Sequence, residues 1–398
     1  MGSLRLIDNA AIWTAGIPNG WQLVQLKHVV TKLNRVPNED DPVLICTNKG
    51  TVIPRDEGNP GLISLTNAGY QGVEPGDLLI HGMDTWHGAI AVSSIKGQCT
   101  SVVHVCDSSQ DKRFIAYFLR ALAFRGVYKA FSNGVRQNTS DFRSWVRAGE
   151  IPLILPTIEE QRRIADYLDT KCAEIDAAVD SAQASIDELM TYRTSMLNQM
   201  MDAISHNARP VKLKYLLKES KERSADGIGE PLSITIARGV LKSSELNVPN
   251  PTSSLVGAKV VHAGDLVFNK LKARHGVMYV SSYDGLISPE YAIYQVIDAD
   301  VVSLRYLEYL CHTARMIDEF IIRTSGVAEG FRRLYTTDLY DITINLPERS
   351  TQDETVAKLD TLYKTIADSN SAKQTIIDDL KAYKQSLIYE VVTGKREV

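Results

Sequence analysis

The sequence predicts an α+β protein: two mixed α/β domains separated by two long antiparallel coiled-coil helices, with an internal pseudo-twofold repeat. Two observations predict it. The chain matches itself, in order, at a shift of 187 to 192 residues, and a period that long marks a duplicated unit of domain size rather than a solenoid. Each copy also carries a heptad seam, with apolar residues at alternating spacings of four and three. The elements are then a first mixed domain at 1–155, a central helix at 156–204, a second mixed domain at 205–345 and a C-terminal helix at 346–398.

In the first domain, Val24-Gln-Leu-Lys-His-Val-Val30 matches Val211-Lys-Leu-Lys-Tyr-Leu-Leu217 of the second. Lys49-Gly50 matches Arg238-Gly239, and Gly76-Asp77-Leu78 matches Gly264-Asp265-Leu266. His87-Gly88 matches His275-Gly276, Val92-Ser-Ser94 matches Val280-Ser-Ser282, and Gly134-Val135 matches Gly326-Val327. Leu155-Pro156 and Leu346-Pro347 then open the two helices, with Gln161 matching Gln352 and Leu168-Asp-Thr170 matching Leu359-Asp-Thr361.

Pro156 suits the first turn of a helix, and Thr157-x-x-Glu160 resembles a capping box. The seam runs Leu168, Cys172, Ile175, Val179, Ala182, Ile186, Leu189, Arg193, Met196, Met200, with one charged intruder and no Gly or Pro. The second seam is Leu359, Tyr363, Ile366, Asn370, Lys373, Ile377, Leu380, Lys384, Leu387, Val391, in the same register but with three polar or charged members. Such positions fix register and orientation at some cost in stability. Each helix is expected to run roughly 40 residues, about 60 Å at 1.5 Å per residue. Because both sit in one polypeptide, they are read as pairing with each other, antiparallel. A plain dimerisation coiled coil is the alternative.

The 398 residues, 44% apolar and 23% charged, suit a soluble globular protein of two or three domains. No apolar run reaches the eighteen or more residues of a membrane span. The N-terminus lacks a signal-peptide stretch, and Leu6 breaks the myristoylation pattern. The five cysteines form no C-x-x-C pair, so reduced, mostly buried thiols in a cytoplasmic protein are expected. The net charge of −4 is uneven: the two mixed domains carry +2 and +1, the central helix −6 and the C-terminal helix −1. Any nucleic-acid contact must then come from local basic loops. Near-neutral domains bind DNA weakly alone, since phosphate contacts dominate affinity, which points to partner subunits.

Catalytic signatures are absent. There is no phosphate-binding P-loop, no complete G-x-G-x-x-G, no H-E-x-x-H, no paired cysteine ligands and no G-x-S-x-G elbow. The Asn/Asp-Pro-Pro-Tyr motif of adenine methyltransferases is missing too. The chain is therefore expected to be non-catalytic, with no metal and no cofactor of its own.

Several loops suit DNA. Lys270-Leu-Lys272-Ala-Arg274-His275-Gly276 is a compact basic stretch after the strand-like Leu266-Val-Phe268, whereas its first-copy counterpart, His81 to Gly88 with Trp86 and His87, is not basic. The frame is shared while the residues differ, as in a reader of two different half-sites. After the repeated Gly-Val lie Arg136-Gln137-Asn138 with Arg143, and in the second copy Arg332-Arg333. Arg pairs with guanine, and Asn or Gln with adenine, in the major groove. With the repeat-matched Lys49 and Arg238, these are the candidate DNA-binding residues; solvated surface charge is the alternative.

Four features resemble the specificity subunits of type I restriction-modification systems. Ile17-Pro-Asn-Gly-Trp21 with Leu26-Lys27 resembles the family's usual opening of a recognition domain. Leu155-Pro-Thr-Ile-Glu-Glu-Gln161-Arg-Arg-Ile-Ala165 resembles its central helix start. Leu346-Pro-Glu-Arg-Ser-Thr-Gln352 repeats it with Thr351 where Glu is usual, and Leu387-Ile-Tyr-Glu-Val-Val-Thr-Gly394 resembles its ending. The resemblance spans essentially the whole chain. It implies two target-recognition domains, each reading half of a bipartite, asymmetric double-stranded DNA site. It implies helices that act as a ruler and dock two methyltransferase subunits carrying S-adenosylmethionine, and restriction subunits that use ATP and Mg. Gln161, Leu168, Ile175 and Leu189, with Gln352, Leu359, Ile366 and Leu380, are the expected partner-binding helix positions. A duplicated coiled-coil scaffold or adaptor without DNA readout is the competing reading.

Overall fold

A computed structural model describes residues 16–38, 40–56, 69–128, 142–206, 208–246, 255–326 and 332–398. The chain divides into two compact units: Met1–Gln183 with Gln374–Val398, and Ala184–Lys373. The division falls inside both long helices, so each unit holds part of each.

The first unit runs β1 (Gln22–Gln25), α1 (Leu26–Val29), β2 (Val30–Lys32), β3 (Leu44–Cys46), β4 (Val52–Pro54), β5 (Gln71–Val73), β6 (Leu78–His81), β7 (Ile90–Val92), β8 (Gly97–Cys99) and β9 (Val103–Ser108). Helices α2 (Lys112–Phe124) and α3 (Trp145–Ala148), strand β10 (Pro152–Leu155) and the start of α4 (Ile158–Ser205) follow. A four-stranded antiparallel sheet has the order β2-β9-β6-β7, beside two-stranded ladders β1-β10, β3-β4 and β5-β8. Strand β6 is Leu-Leu-Ile-His, buried on both faces, and its period of two feeds two cores. Leu78 and Ile80 join α2 through Phe114, Phe118 and Leu122, while Leu79 packs with Leu44, Cys46 and Val105. Each such side chain, taken from water to full burial, is worth about 1.5–3 kcal/mol.

The second unit continues α4 and adds β11 (Arg209–Lys212), β12 (Leu217–Glu219), β13 (Leu232–Thr235), β14 (Gly239–Lys242), β15 (Lys259–Val261), β16 (Leu266–Phe268), β17 (Met278–Val280), β18 (Gly285–Ile287) and β19 (Ala292–Val296). Then come α5 (Leu304–Cys311), α6 (Ala314–Arg323), α7 (Thr336–Tyr340), β20 (Thr343–Leu346) and α8 (Arg349–Val392). Its four-stranded sheet has the order β12-β19-β16-β17, with ladders β11-β20, β13-β14 and β15-β18. Here too the central strand divides its side chains: Leu266 and Phe268 face the core with Tyr306 and Phe320, and Val267 faces Ile234, Val261 and Ile293.

The two long helices, of 48 and 44 residues, pack together. At the start of α4, the Thr157 hydroxyl accepts the Glu160 N–H at 3.3 Å, as the capping pattern predicts. In the first unit, Ile164, Leu168, Cys172 and Ile175 of α4 share a core with Leu387, Ile388 and Val391 of α8. Ile164 lines a cleft with Val391, and twelve residues further along α4 Asp176 meets Lys384, so the helices run in opposite directions there. In the second unit, Leu197 and Met201 share a core with Leu359, and the Arg193 guanidinium lies over the Tyr363 ring at 4.8 Å. Among the described residues, no helix is long and apolar enough to cross a membrane. All five cysteines are buried and unbridged. Burial pushes Cys46 and Cys99 up to about 12, so these thiols stay protonated and unreactive.

Candidate nucleic-acid interface

In the first unit a tight turn joins β3 to β4, closed by the Gly50 N–H donating to Thr47 O at 3.0 Å, and it leaves Lys49 exposed. Between β6 and β7 a single 3-10 turn, Thr85–His87, carries Trp86 and His87, their rings 4.3 Å apart. Trp86 leans on the core, and His87 is exposed. Asp84 lies 3.4 Å from His81 Nδ1 and 3.8 Å from His87 Nδ1. Burial lowers the His81 pKa, with the Asp84 carboxylate opposing, and its Nδ1 accepts the Asp84 N–H at 3.0 Å. The Phe142 N–H donates to Gly82 O at 3.1 Å, which sets exposed Arg143 beside this turn. Lys49, Trp86, His87 and Arg143 therefore gather around one end of the sheet. Arg136, Gln137 and Asn138 lie outside the described residues.

In the second unit the β13–β14 hairpin exposes Arg238, whose Nη2 is 3.6 Å from Glu245. The stretch Lys270–His275 forms 3-10 turns, started by Asn269, whose side chain accepts the Leu271 and Lys272 N–H groups at 3.1 and 3.2 Å. Lys272, Arg274 and His275 are exposed. Lys270 is half-buried, and burial lowers its pKa, helped by nearby Lys259. The Leu334 N–H donates to Lys270 O at 3.1 Å, so Arg332 and Arg333 lie beside the basic turn. Arg332 is exposed, whereas Arg333 pairs with Glu290 at 2.8 Å. This bond has the same place as the Phe142–Gly82 bond of the first unit. At the repeat shift, Asp84 stands where Lys272 does, so the two turns share a frame and oppose each other in charge.

The structure places the helix positions named from the sequence at these depths. Gln161, Gln352, Leu168 and Leu359 are 0% exposed, Ile175 and Ile366 are buried, and Leu189 and Leu380 are half-buried. Leu168, Ile175 and Leu359 belong to the chain's own cores, and Leu380 packs against the core that holds Leu168. Gln161 works as a clamp: its Oε1 accepts the N–H of Asp111, the residue capping α2, at 3.1 Å, and its Nε2 donates to Pro156 O at 3.0 Å. Gln352 does the same with the cap of α5, accepting the Ser303 N–H at 3.0 Å and donating to Pro347 O at 2.9 Å.

Sequence reasoning missed a second clamp. The Arg113 guanidinium donates to Asp166 and Asp169 at 2.8 and 2.7 Å, and the Tyr117 hydroxyl donates to Asp169 at 2.7 Å. Arg305 and Tyr309 donate to Asp360 at 2.7 and 2.6 Å. Arg113 and Tyr117 recur as Arg305 and Tyr309 at a shift of 192, so extending the self-match into α2 exposes this signal. Lys259 was missed as well. Only 5% exposed, it pairs with Glu219 at 2.9 Å, and Glu219 also accepts the Thr336 hydroxyl at 2.7 Å. Burial raises the Glu219 pKa, but these two partners outweigh it and hold the carboxyl below its usual range. Among the described residues, no group of three or more His, Cys, Asp or Glu is placed to hold a metal ion.

No family model matches the chain, and no curated protein does. Solved structures do match. One is a chain from a structural study of complex assembly and conformational transition of the type I R-M system, at 16% identity over 95% of this chain and 98% of that one, with a TM-score of 0.69. The chain has the fold of a type I specificity subunit. A second match is the HsdS subunit from Thermoanaerobacter tengcongensis, at 16% identity over 96% of this chain and 98% of that one, with a TM-score of 0.51. At such identity the likeness is one of fold, and it covers nearly the whole of each chain.

Proposed function

We propose that this chain is the DNA sequence-specificity subunit of a type I restriction-modification complex. Residues 1–155 and 205–345 are target-recognition domains, each reading one half of a bipartite, asymmetric double-stranded site. Residues 156–204 and 346–398 are the helices that set the spacer and, through their outer faces, hold two methyltransferase subunits and the restriction subunits. The observation that carries this reading is the fold shared over 95% of the chain with a chain of a type I assembly. The paired loops support it. Equivalent turns carry Trp86, His87 and Arg143 in one unit and Lys272, Arg274 and Arg332 in the other, and such differing side chains suit different bases. Exposed Lys and Arg supply phosphate contacts, which position without specifying.

The chain itself performs no chemistry in this proposal, and it works in the cytoplasm. S-adenosylmethionine belongs to the methyltransferase partner, and ATP and Mg belong to the restriction partner. The test is methylation mapping in cells expressing the chain with its methyltransferase partner. A bipartite target with methylated adenine is expected, and replacing residues 1–155 with another recognition domain changes only one half of it. Methylation without sequence preference would leave the scaffold reading.

A further inference from the structure

One stripe of α2, at positions 113, 117, 120 and 124, does two jobs. Its first two members, Arg113 and Tyr117, tie the helix to Asp166 and Asp169 of α4. Its last two carry the loops. Arg120 is 7% exposed, and its Nη2 donates to the backbone oxygen of Lys49 at 2.8 Å, while its Nε has no partner among the described residues. Burying a guanidinium with so few hydrogen bonds is costly, and hydrophobic packing alone would favour Leu or Met there. The guanidinium instead fills the space over Gly50. A Cβ at that position would lie 2.3 Å from Arg120 Cζ, and Gly50 has a φ of +79° that side chains rarely adopt. The Phe124 ring, 5.5 Å from the same guanidinium, packs under Gly88 at the end of the Trp86–His87 turn, where the Asn48 carbonyl also arrives. The Lys49 turn and the His87 turn thus meet on this end of α2.

The second unit reaches the same result with different chemistry. At the repeat shift, Arg120 becomes His312. His312 stacks against Tyr279, 4.7 Å between ring centres, and the Tyr279 hydroxyl donates to the backbone oxygen of Ile236 in the Arg238 hairpin. Gly239 lies on the Tyr279 ring, where a Cβ would approach to 3.1 Å. The Val280 N–H donates to Glu308 of α5 at 3.0 Å, tying this strand to the helix.

We infer that Arg120 is a positioning residue for base reading, a peg that holds the Lys49–Gly50 turn against α2, and that Tyr279 backed by His312 holds the Arg238–Gly239 hairpin. The inference rests on the proposed reading of DNA by these loops. Neither residue touches DNA; each sets where an exposed Lys or Arg sits. The experiment uses the full chain in complex with its methyltransferase partner and compares wild type, Arg120→Met, Arg120→Lys and Tyr279→Phe. For each, methylation is measured on the target and on every single-base substitution of it, and thermal unfolding is recorded. Arg120→Met keeps the bulk and loses the donors. It is expected to weaken discrimination roughly tenfold at one half-site, the scale of one well-made base contact, and to leave the other half unchanged. Arg120→Lys, which keeps a charged donor nitrogen without the guanidinium plane, recovers part of that loss. Tyr279→Phe, which removes a single hydroxyl, weakens discrimination at the opposite half-site. Unchanged discrimination in folded variants, or equal loss at both half-sites, overturns the inference. If Arg120→Met fails to fold, Tyr279→Phe alone decides. A wild-type complex without sequence preference is a different result, and it overturns the proposed function.

Discussion

His312 is half-buried with its ring Nε2 shut off from water, and desolvation pushes its pKa down to about 4, opposed by backbone hydrogen bonding at Gly276 and reinforced by Arg193 of α4 and Arg305 of α5. An unfolded histidine ionises near pH 6.5. Between about pH 6.5 and 4 the unfolded chain therefore binds a proton that the folded chain does not, so stability falls as the pH falls through that window. The loss is at most about 1.4 kcal/mol per pH unit. Urea unfolding at pH 7 and pH 5 should show the full chain weaker at pH 5, with a smaller drop for His312→Gln. An equal drop in that variant assigns the effect to other groups. At this scale the sequence marked positions without marking roles. Gln161 and Gln352 stood out by their repetition, yet their role as buried clamps on helix caps depends on Asp111 and Ser303, about 50 residues away along the chain.

The long helices were legible because a heptad seam is a local period, and every named seam position is buried or half-buried. What the charged seam members Arg193 and Lys384 pair with was not legible, since Tyr363 and Asp176 lie on the other helix. The Lys384 ammonium donates to both Asp176 oxygens, at 2.7 and 2.6 Å. The lysine side chain is 16% exposed and the aspartate 58%. A pair with one open partner contributes little, while the half-buried ammonium still loses part of its hydration. Lys384→Leu is therefore expected to raise the thermal midpoint by about 2–4 °C, with Asp176 left solvated. A lower midpoint would mean that the ion pair outweighs the apolar seam it displaces. The gained stability would come at a cost in register, which a polar seam position helps to fix.

For the whole molecule, the compact units cut across the four segments read from the sequence, because each unit buries its own stretch of both helices. Folding therefore joins the C-terminal part of α8, the last helix in sequence, to the core of the first unit. Under the proposed function, a change in the paired helices must reach the spacer. Inserting four residues at Ala182 slips the heptad by one stutter, and methylation mapping should then give a target with a different spacer or no target. Retention of the original spacer would remove the ruler role while leaving half-site reading intact.

The sequence by itself determined the self-match, the two heptad helices and the contrast between a basic and a non-basic turn at matched positions, because these are local periods and compositions. Only the tertiary structure decided which polar residues are buried and which loops meet. Phe142 reaches Gly82, Leu334 reaches Lys270 and Arg120 reaches Lys49 across 60 to 71 residues of chain. Burial and hydrogen bonding act through space, and no spacing along the chain encodes contacts of that range.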